Sequence, residues 1–349
     1  MTSWQNLLKN SIISAEELGR CLGCDSEEIS RVAAIYPLRI NPYYLDLIQK
    51  NGTPLYKQAV PDIRELDDKM GMIDPLAEER LSPVPNLVHK YPDRALFLVC
   101  NECAMYCRFC TRKRKVGTSK MAINEESLEA GFTYLQKTPK IREVLLSGGD
   151  PLLLADHKLE YILSRLKKIP SIEVIRIGTR VPCTLPMRIT IDLAEMLKKF
   201  HPLYINTHFN HPAEITPAAT AACVRLADAG IPLGCQTVLL KGINDTPDTI
   251  YKLMRKLLAI RVKPYYLFQA DLTRGTAHFQ TSIETGVDIM RHLIGHLSGM
   301  AIPTFALDAP GGGGKIPLTP NYITGCGQTL DFTTYQGRPC SYPNRQNGR

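Results

Sequence analysis

From Arg94 onward, apolar residues fall into short runs rich in β-branched side chains, each followed by a stretch with apolar residues at helical spacing. The runs Ala95–Val99, Glu143–Leu146, Glu173–Ile177, Leu203–Asn206, Pro232–Leu240, Pro264–Phe268 and Ile302–Leu307 are strand-sized. They are continuous rather than alternating, as parallel strands covered on both faces should be. Helical stretches lie between them over Glu125–Gln136, Lys158–Lys168, Ile191–Lys199, Ala218–Ala229, Asp248–Ile260 and Gly286–Leu297. Repeated strand–helix order predicts right-handed crossovers and an α/β fold whose parallel sheet closes as a full or partial (β/α) barrel. Residues 1–85 read differently: Ser14-Ala-Glu-Glu17 and Asp25-Ser-Glu-Glu28 are capping patterns ahead of amphipathic stretches, and Asn41-Pro42 opens another. The chain thus divides into an N-terminal helical layer (1–85) without assigned chemistry, a barrel (86–320) and a C-terminal tail (321–349).

With 44% apolar and 22% charged residues, the chain can bury a globular core. No basic segment followed by an apolar run opens it, which predicts a cytoplasmic protein with no membrane span. The net charge of +8 suits an anionic cofactor as readily as nucleic acid. Eleven cysteines is an odd number, and seven are scattered, so a disulfide framework is not expected. Cys21 and Cys24 resemble a metal pair, but no second pair follows at ribbon spacing, and packing is the expected role.

The other four cysteines lie in Cys100-Asn-Glu-Cys103-Ala-Met-Tyr-Cys107-Arg-Phe-Cys110. A zinc ribbon needs two pairs separated by a long loop, which this spacing does not allow. Cys103, Cys107 and Cys110 instead let one short loop wrap three corners of an iron–sulfur cube, leaving one iron open. Cys100 falls in the strand and reads as a small hydrophobe. Two more unusual segments follow strands, where a barrel builds its site: Ser147-Gly-Gly-Asp150 and Gly311-Gly-Gly-Gly-Lys315. The second fails the P-loop pattern, because Ile316 stands where a magnesium-binding hydroxyl should be. A lysine at the end of a barrel strand can alternatively hold pyridoxal phosphate (PLP) covalently.

The spacing Cys103-x3-Cys107-x-Phe-Cys110 resembles the radical S-adenosylmethionine (SAM) superfamily. That resemblance implies a [4Fe-4S] cluster on Cys103, Cys107 and Cys110, with SAM on the open iron and Phe109 against cluster and adenine. It also implies that Ser147, Gly148, Gly149 and Asp150 receive the SAM amino group, and that His208 contacts SAM. From Trp4 to about Tyr322 the chain is similar to the lysine 2,3-aminomutase family, most specifically over Leu145–Asp150, Asn206–Pro212, Ala227–Gly230 and Asp308–Lys315. This implies an isomerase that turns L-lysine into β-lysine, with PLP on Lys315. Lys90, Tyr91, Arg94 and Gln236 would then lie near PLP, Arg112 would hold the substrate carboxylate, and Asp271 and Asp308 its side-chain ammonium.

Two departures from the family pattern stand out. Lys90 replaces a common arginine, making that contact a point charge. Residues 336–345 of the tail keep only Cys340 where zinc-bearing relatives have three thiolates, and Thr246 replaces their fourth, so a homo-oligomer is left open. The expected partners are a small-molecule amino acid and an electron donor, with no membrane. One alternative is an enzyme that works with a ligase to β-lysylate a translation elongation factor, which the short tail favours. The other is a basic iron–sulfur or zinc protein binding RNA through Arg112-Lys-Arg-Lys115, against which the adjoining cluster argues.

Overall fold

The computed structural model describes residues 3–344, so the last five residues of the predicted tail lie outside it. Five helices form the N-terminal layer: α1 (Trp4–Lys9), α2 (Ala15–Leu22), α3 (Ser26–Ala33), α4 (Pro42–Asn51) and α5 (Thr53–Ala59). Ser14, Asp25 and Asn41 accept from first-turn amides of α2, α3 and α4, as their positions predict.

The barrel begins with β1 (Leu87–Tyr91) and β2 (Arg94–Cys100) and continues through α6 (Glu125–Lys137), β3 (Glu143–Gly148), α7 (Asp156–Lys167) and β4 (Val174–Gly178). The short α8 (Val181–Thr184) and α9 (Ile191–Lys198) lead to β5 (Leu203–His208), α10 (Pro217–Asp228), β6 (Leu233–Leu239), α11 (Pro247–Ala259) and β7 (Val262–Gln269). Then come α12 (Ile283–Leu293), β8 (Thr304–Ala309) and β9 (Gly314–Pro317). The nine strands pair in chain order. Strands β2 to β8 are parallel, while β1 and β9 run antiparallel at the two edges. All seven predicted strands and all six predicted barrel helices are present; the two antiparallel edge strands are additions.

The strands are not buried alike on both faces. Positions such as Phe97, Val144, Leu146, Ile177 and Ile205 pack outward under the helices and are fully buried. Their neighbours in β3, Glu143, Leu145 and Ser147, are only partly buried, because they face an incompletely filled interior. Register carries this inner face round the sheet: Leu98 pairs with Ser147, Leu145 with Arg176, Gly178 with Asn206, His208 with Gln236, Gln236 with Tyr266 and Asp308 with Lys315. Side chains directly across a ladder share a face. Ser147, His208, Gln236, Asp308 and Lys315, singled out from sequence, therefore line one interior. At the seam between the unpaired edges of β1 and β9, the Lys315 amide donates to the Tyr91 hydroxyl at 3.2 Å.

Beyond the barrel, β10 (Ile323–Cys326), β11 (Thr329–Thr333) and β12 (Pro339–Pro343) form a separate antiparallel sheet with no fully buried residue. No helix among the described residues is long and apolar enough to cross a membrane.

Candidate active site

Cys103, Cys107 and Cys110 lie in the loop after β2 and form no disulfide. Burial pushes Cys103 and Cys110 above the usual thiol range, and the other sulfurs add to the shift. The loop thus gathers three soft donors that repel one another as thiolates, an arrangement a cationic cluster relieves. Among the described residues no group of three or more His, Cys, Asp or Glu is arranged to hold a single metal ion. Arg180 donates to the Cys107 sulfur at 2.8 Å, and the Arg112 amide to that of Cys110 at 3.4 Å. Cys100 is buried at the end of β2, its thiol 3.5 Å from the Glu102 carbonyl.

The N-terminal layer, to which sequence reasoning assigned no chemistry, holds this loop in place. Asn41 donates to the carbonyls of Ala104 and Thr184 at 3.0 and 2.9 Å. Gln58 accepts from Arg180 at 2.6 Å and from Asn210 at 3.0 Å. Glu65, fully buried, takes Arg108 at 2.6 Å and Lys113 at 2.6 Å. Asn41 stood out in the sequence only as a helix cap, and Gln58 and Glu65 not at all, because each is polar at one point of a helical or turn segment and no spacing marks it. The same contacts remove the basic patch. Arg112 and Lys115 pair with Glu78, Lys113 with Glu65, and Arg114 with Asp74 and Glu79. The run that an RNA would need is already neutralised.

Ser147–Asp150 sits beside the loop. A Cβ on Gly148 (φ +137°) would stand 2.1 Å from the Cys100 carbonyl oxygen, and one on Gly149 would stand 2.3 Å from that of Glu102. Both glycines thus let the β3 loop close on the cysteine loop. The Asp150 carboxylate accepts from Thr179 Oγ1 at 2.7 Å and from the amides of Arg180 at 2.7 Å and Leu152 at 3.1 Å. Here it braces the turn after β4, a role the sequence did not suggest. Phe109 is buried, its ring 5.5 Å from that of His208 and edge-on to Phe279. His208 bonds Asn210 Oδ1 at 2.9 Å, and burial, with Arg180 nearby, pushes it down to about 3, so the imidazole is neutral.

On the other side of the interior, Lys315 Nζ donates to both oxygens of Asp308 at 3.1 and 3.2 Å and lies 5.1 Å from the centre of the Phe268 ring. Lys90 approaches the same carboxylate at 3.6 Å. Arg94 stacks over Tyr91 at 3.9 Å. Burial, then the charge of Asp308, pushes Asp271 up to about 7. Cations from β1 (Lys90, with Arg94 just beyond the turn into β2) and the amine of Lys315 thus converge at the seam, a donor set that suits an anionic aldehyde cofactor such as PLP. Arg112 points into the interior from the cysteine loop but is held by Glu78 through Nε at 2.9 Å and Nη2 at 2.5 Å.

Three groups stand at one end of the barrel: a cysteine triad and a carboxylate pair at or beyond the C-termini of parallel strands, and Lys315 at the start of the antiparallel β9. The cysteine triad in the loop after the first parallel strand of such a barrel places the protein among the radical SAM enzymes. The radical SAM superfamily model matches residues 97–257, and the lysine-2,3-aminomutase model matches residues 290–348. The chain is 49% identical to the L-lysine 2,3-aminomutase of Fusobacterium nucleatum, with 92% of this chain and 76% of that protein covered. It is 46% identical to the Bacillus subtilis enzyme of the same name (99% and 74% covered) and 45% identical to the glutamate 2,3-aminomutase of Clostridioides difficile (96% and 80% covered). The protein belongs to the lysine 2,3-aminomutase family.

Proposed function

We propose that this protein is an L-lysine 2,3-aminomutase, which moves the α-amino group of L-lysine to Cβ and releases β-lysine. The observation that carries this reading is the pair Asp271 and Asp308, close enough for the charge of one to raise the pKa of the other. A substrate side chain ending in an ammonium relieves that repulsion, whereas one ending in a carboxylate adds to it. Identities of 49% and 45% to lysine and glutamate enzymes are too alike to choose a substrate. The two carboxylates support lysine.

Cys103, Cys107 and Cys110 would hold the [4Fe-4S] cluster, with Phe109, Ser147–Asp150 and His208 toward SAM, and Lys315, Lys90, Tyr91, Arg94 and Gln236 toward PLP. When bound, the cluster would supply an electron, SAM a carbon radical for hydrogen abstraction, and PLP an imine π-system that assists transfer of the substrate nitrogen from Cα to Cβ. The protein's own residues orient the substrate: Arg112 takes the α-carboxylate at one end, while Asp271 and Asp308 take the ε-ammonium at the other. Fixing both ends leaves Cβ one place to lie, between the SAM side and the Lys315 side. The reaction requires a small-molecule amino acid and a one-electron donor. The intact Asp308–Lys315 segment and identity across most of the chain favour free lysine over lysine destined for a protein. The test is an anaerobic assay of the dithionite-reduced enzyme with PLP and SAM on lysine, glutamate, arginine and ornithine. β-Lysine should be the main product; faster turnover of glutamate overturns the reading.

A further inference from the structure

Residues 68–82 run as turns, with neither helix nor barrel strand, yet they touch the loops after three different strands. Toward the loop after β7, Met72 donates to Leu272 O at 2.7 Å and accepts from the Arg274 amide at 2.9 Å, while Asp68 accepts from the Gly275 amide at 2.8 Å. Toward the glycine run before Lys315, the Gly311 amide donates to Pro75 O at 2.9 Å and Arg80 to Gly311 O at 2.7 Å. Toward the cysteine loop, Asp74, Glu78 and Glu79 take Arg112, Arg114 and Lys115. This strap therefore ties together the segments that carry Arg112, Asp271 and Lys315.

Glu78 is its most buried acidic side chain, with the residue only 4% exposed. Both its oxygens accept from Arg112 Nε at 2.9 Å, Oε1 accepts from Nη2 at 2.5 Å, and Oε2 lies 3.4 Å from Lys115 Nζ. One edge of the guanidinium is thus fully engaged. The remaining nitrogen, Nη1, makes only long contacts, 3.3 Å to Ser147 Oγ and 3.4 Å to Gly148 O. Ser147 lies on the inward face of β3, so this free end of Arg112 is turned to the interior.

We propose that Glu78 is a positioning residue: it pins Arg112 by its Nε–Nη2 edge so that the Nη1 end meets the substrate α-carboxylate. The inference rests on the reading of the interior as an α-amino acid site. A guanidinium offers two usable forks, and a carboxylate locked on one presents the other in a fixed plane. Without that lock, Arg112 is free to swing on its flexible stem out of the plane that faces the interior. Recognition of the carboxylate then loses its preorganisation, while the ammonium end is untouched.

The experiment compares binding of L-lysine with that of 1,5-diaminopentane, the same diamine without the carboxylate, to the oxidised holoenzyme loaded with cluster, SAM and PLP. Affinities are read from the change in PLP absorbance for lysine and by competition for the diamine. Glu78→Gln should weaken lysine at least tenfold and the diamine less than twofold, with iron and PLP content unchanged, and Glu78→Asp should recover part of the loss. Equal weakening of both ligands, or of neither, overturns the proposal, because a general structural role does not distinguish them. If Glu78→Gln does not fold, the same ratio is measured on Glu78→Asp, and an unaltered lysine-to-diamine ratio there overturns it. If the wild-type enzyme binds lysine no better than the diamine, the amino acid reading itself fails first.

Discussion

The ammonium of Lys315 lies 3.1 Å from Oδ2 of Asp308, the carboxylate assigned to the ammonium of the substrate. The two sit side by side in the ladder joining β8 to the antiparallel edge strand β9. Asp308 thus already accepts from a primary ammonium, the kind of group that the proposed substrate would bring to it.

Asp308→Asn and Asp271→Asn should each lower kcat/KM for lysine by about 2–5 kcal/mol of transition-state binding, the usual cost of removing one partner of a buried charge pair. The measurement is β-lysine formation at subsaturating lysine. Full activity in both variants would show that the carboxylates do not bind the substrate.

Asp271 also sets a pH dependence. Its carboxyl is raised from the ordinary 3.8 to about 7, so between these values the native state holds a proton that the unfolded chain has lost. Its contribution to stability therefore falls as pH rises from about 4 through 7. Asp271→Asn should consequently stabilise the substrate-free protein at pH 8 by about 2–4 kcal/mol and leave it nearly unchanged at pH 4. Binding an ammonium needs the ionised form, so kcat/KM for lysine should climb through pH 7 in the wild type. Denaturant unfolding at the two pH values checks the first expectation, and a pH–rate profile checks the second.

Lys315→Ala should retain iron and SAM cleavage but lose PLP that borohydride can fix to the chain, together with turnover. Peptide mapping after reduction locates the label. A label elsewhere in the wild type would remove Lys315 from its role.

Cys103→Ala, Cys107→Ala and Cys110→Ala should each abolish SAM cleavage and lower iron content, whereas Cys100→Ala should keep both. Gly148→Ala should mimic the first group without touching a ligand. Its φ of +137° and the 2.1 Å approach to the Cys100 carbonyl make any side chain there cost about 3 kcal/mol, and the strain falls on the cysteine loop. Iron analysis and thermal unfolding of the five variants separate ligand loss from distortion.

Strand and helix order in the barrel was legible because it is written in local terms: β-branched runs, helical periodicity and capping residues such as Asn41 act within a few residues of themselves. The cysteine spacing was legible for the same reason, since a loop can wrap a cluster only at short separations, whereas Lys315 was singled out by resemblance to the family. Resemblance to a family supplied Arg112, Asp271 and Asp308, which have no local signature. The tertiary structure alone decided that β1 and β9 close the sheet as antiparallel edges and that the inner face stays open. It also decided that Asp150 braces a turn, and that Glu65, Gln58 and Glu78 reach from the N-terminal layer and its following strap to pin the cysteine loop. The Glu78 and Glu65 pairs join residues 34 to 48 positions apart. A lone buried acid carries no periodicity, and its meaning lies in the cation that folding brings to it.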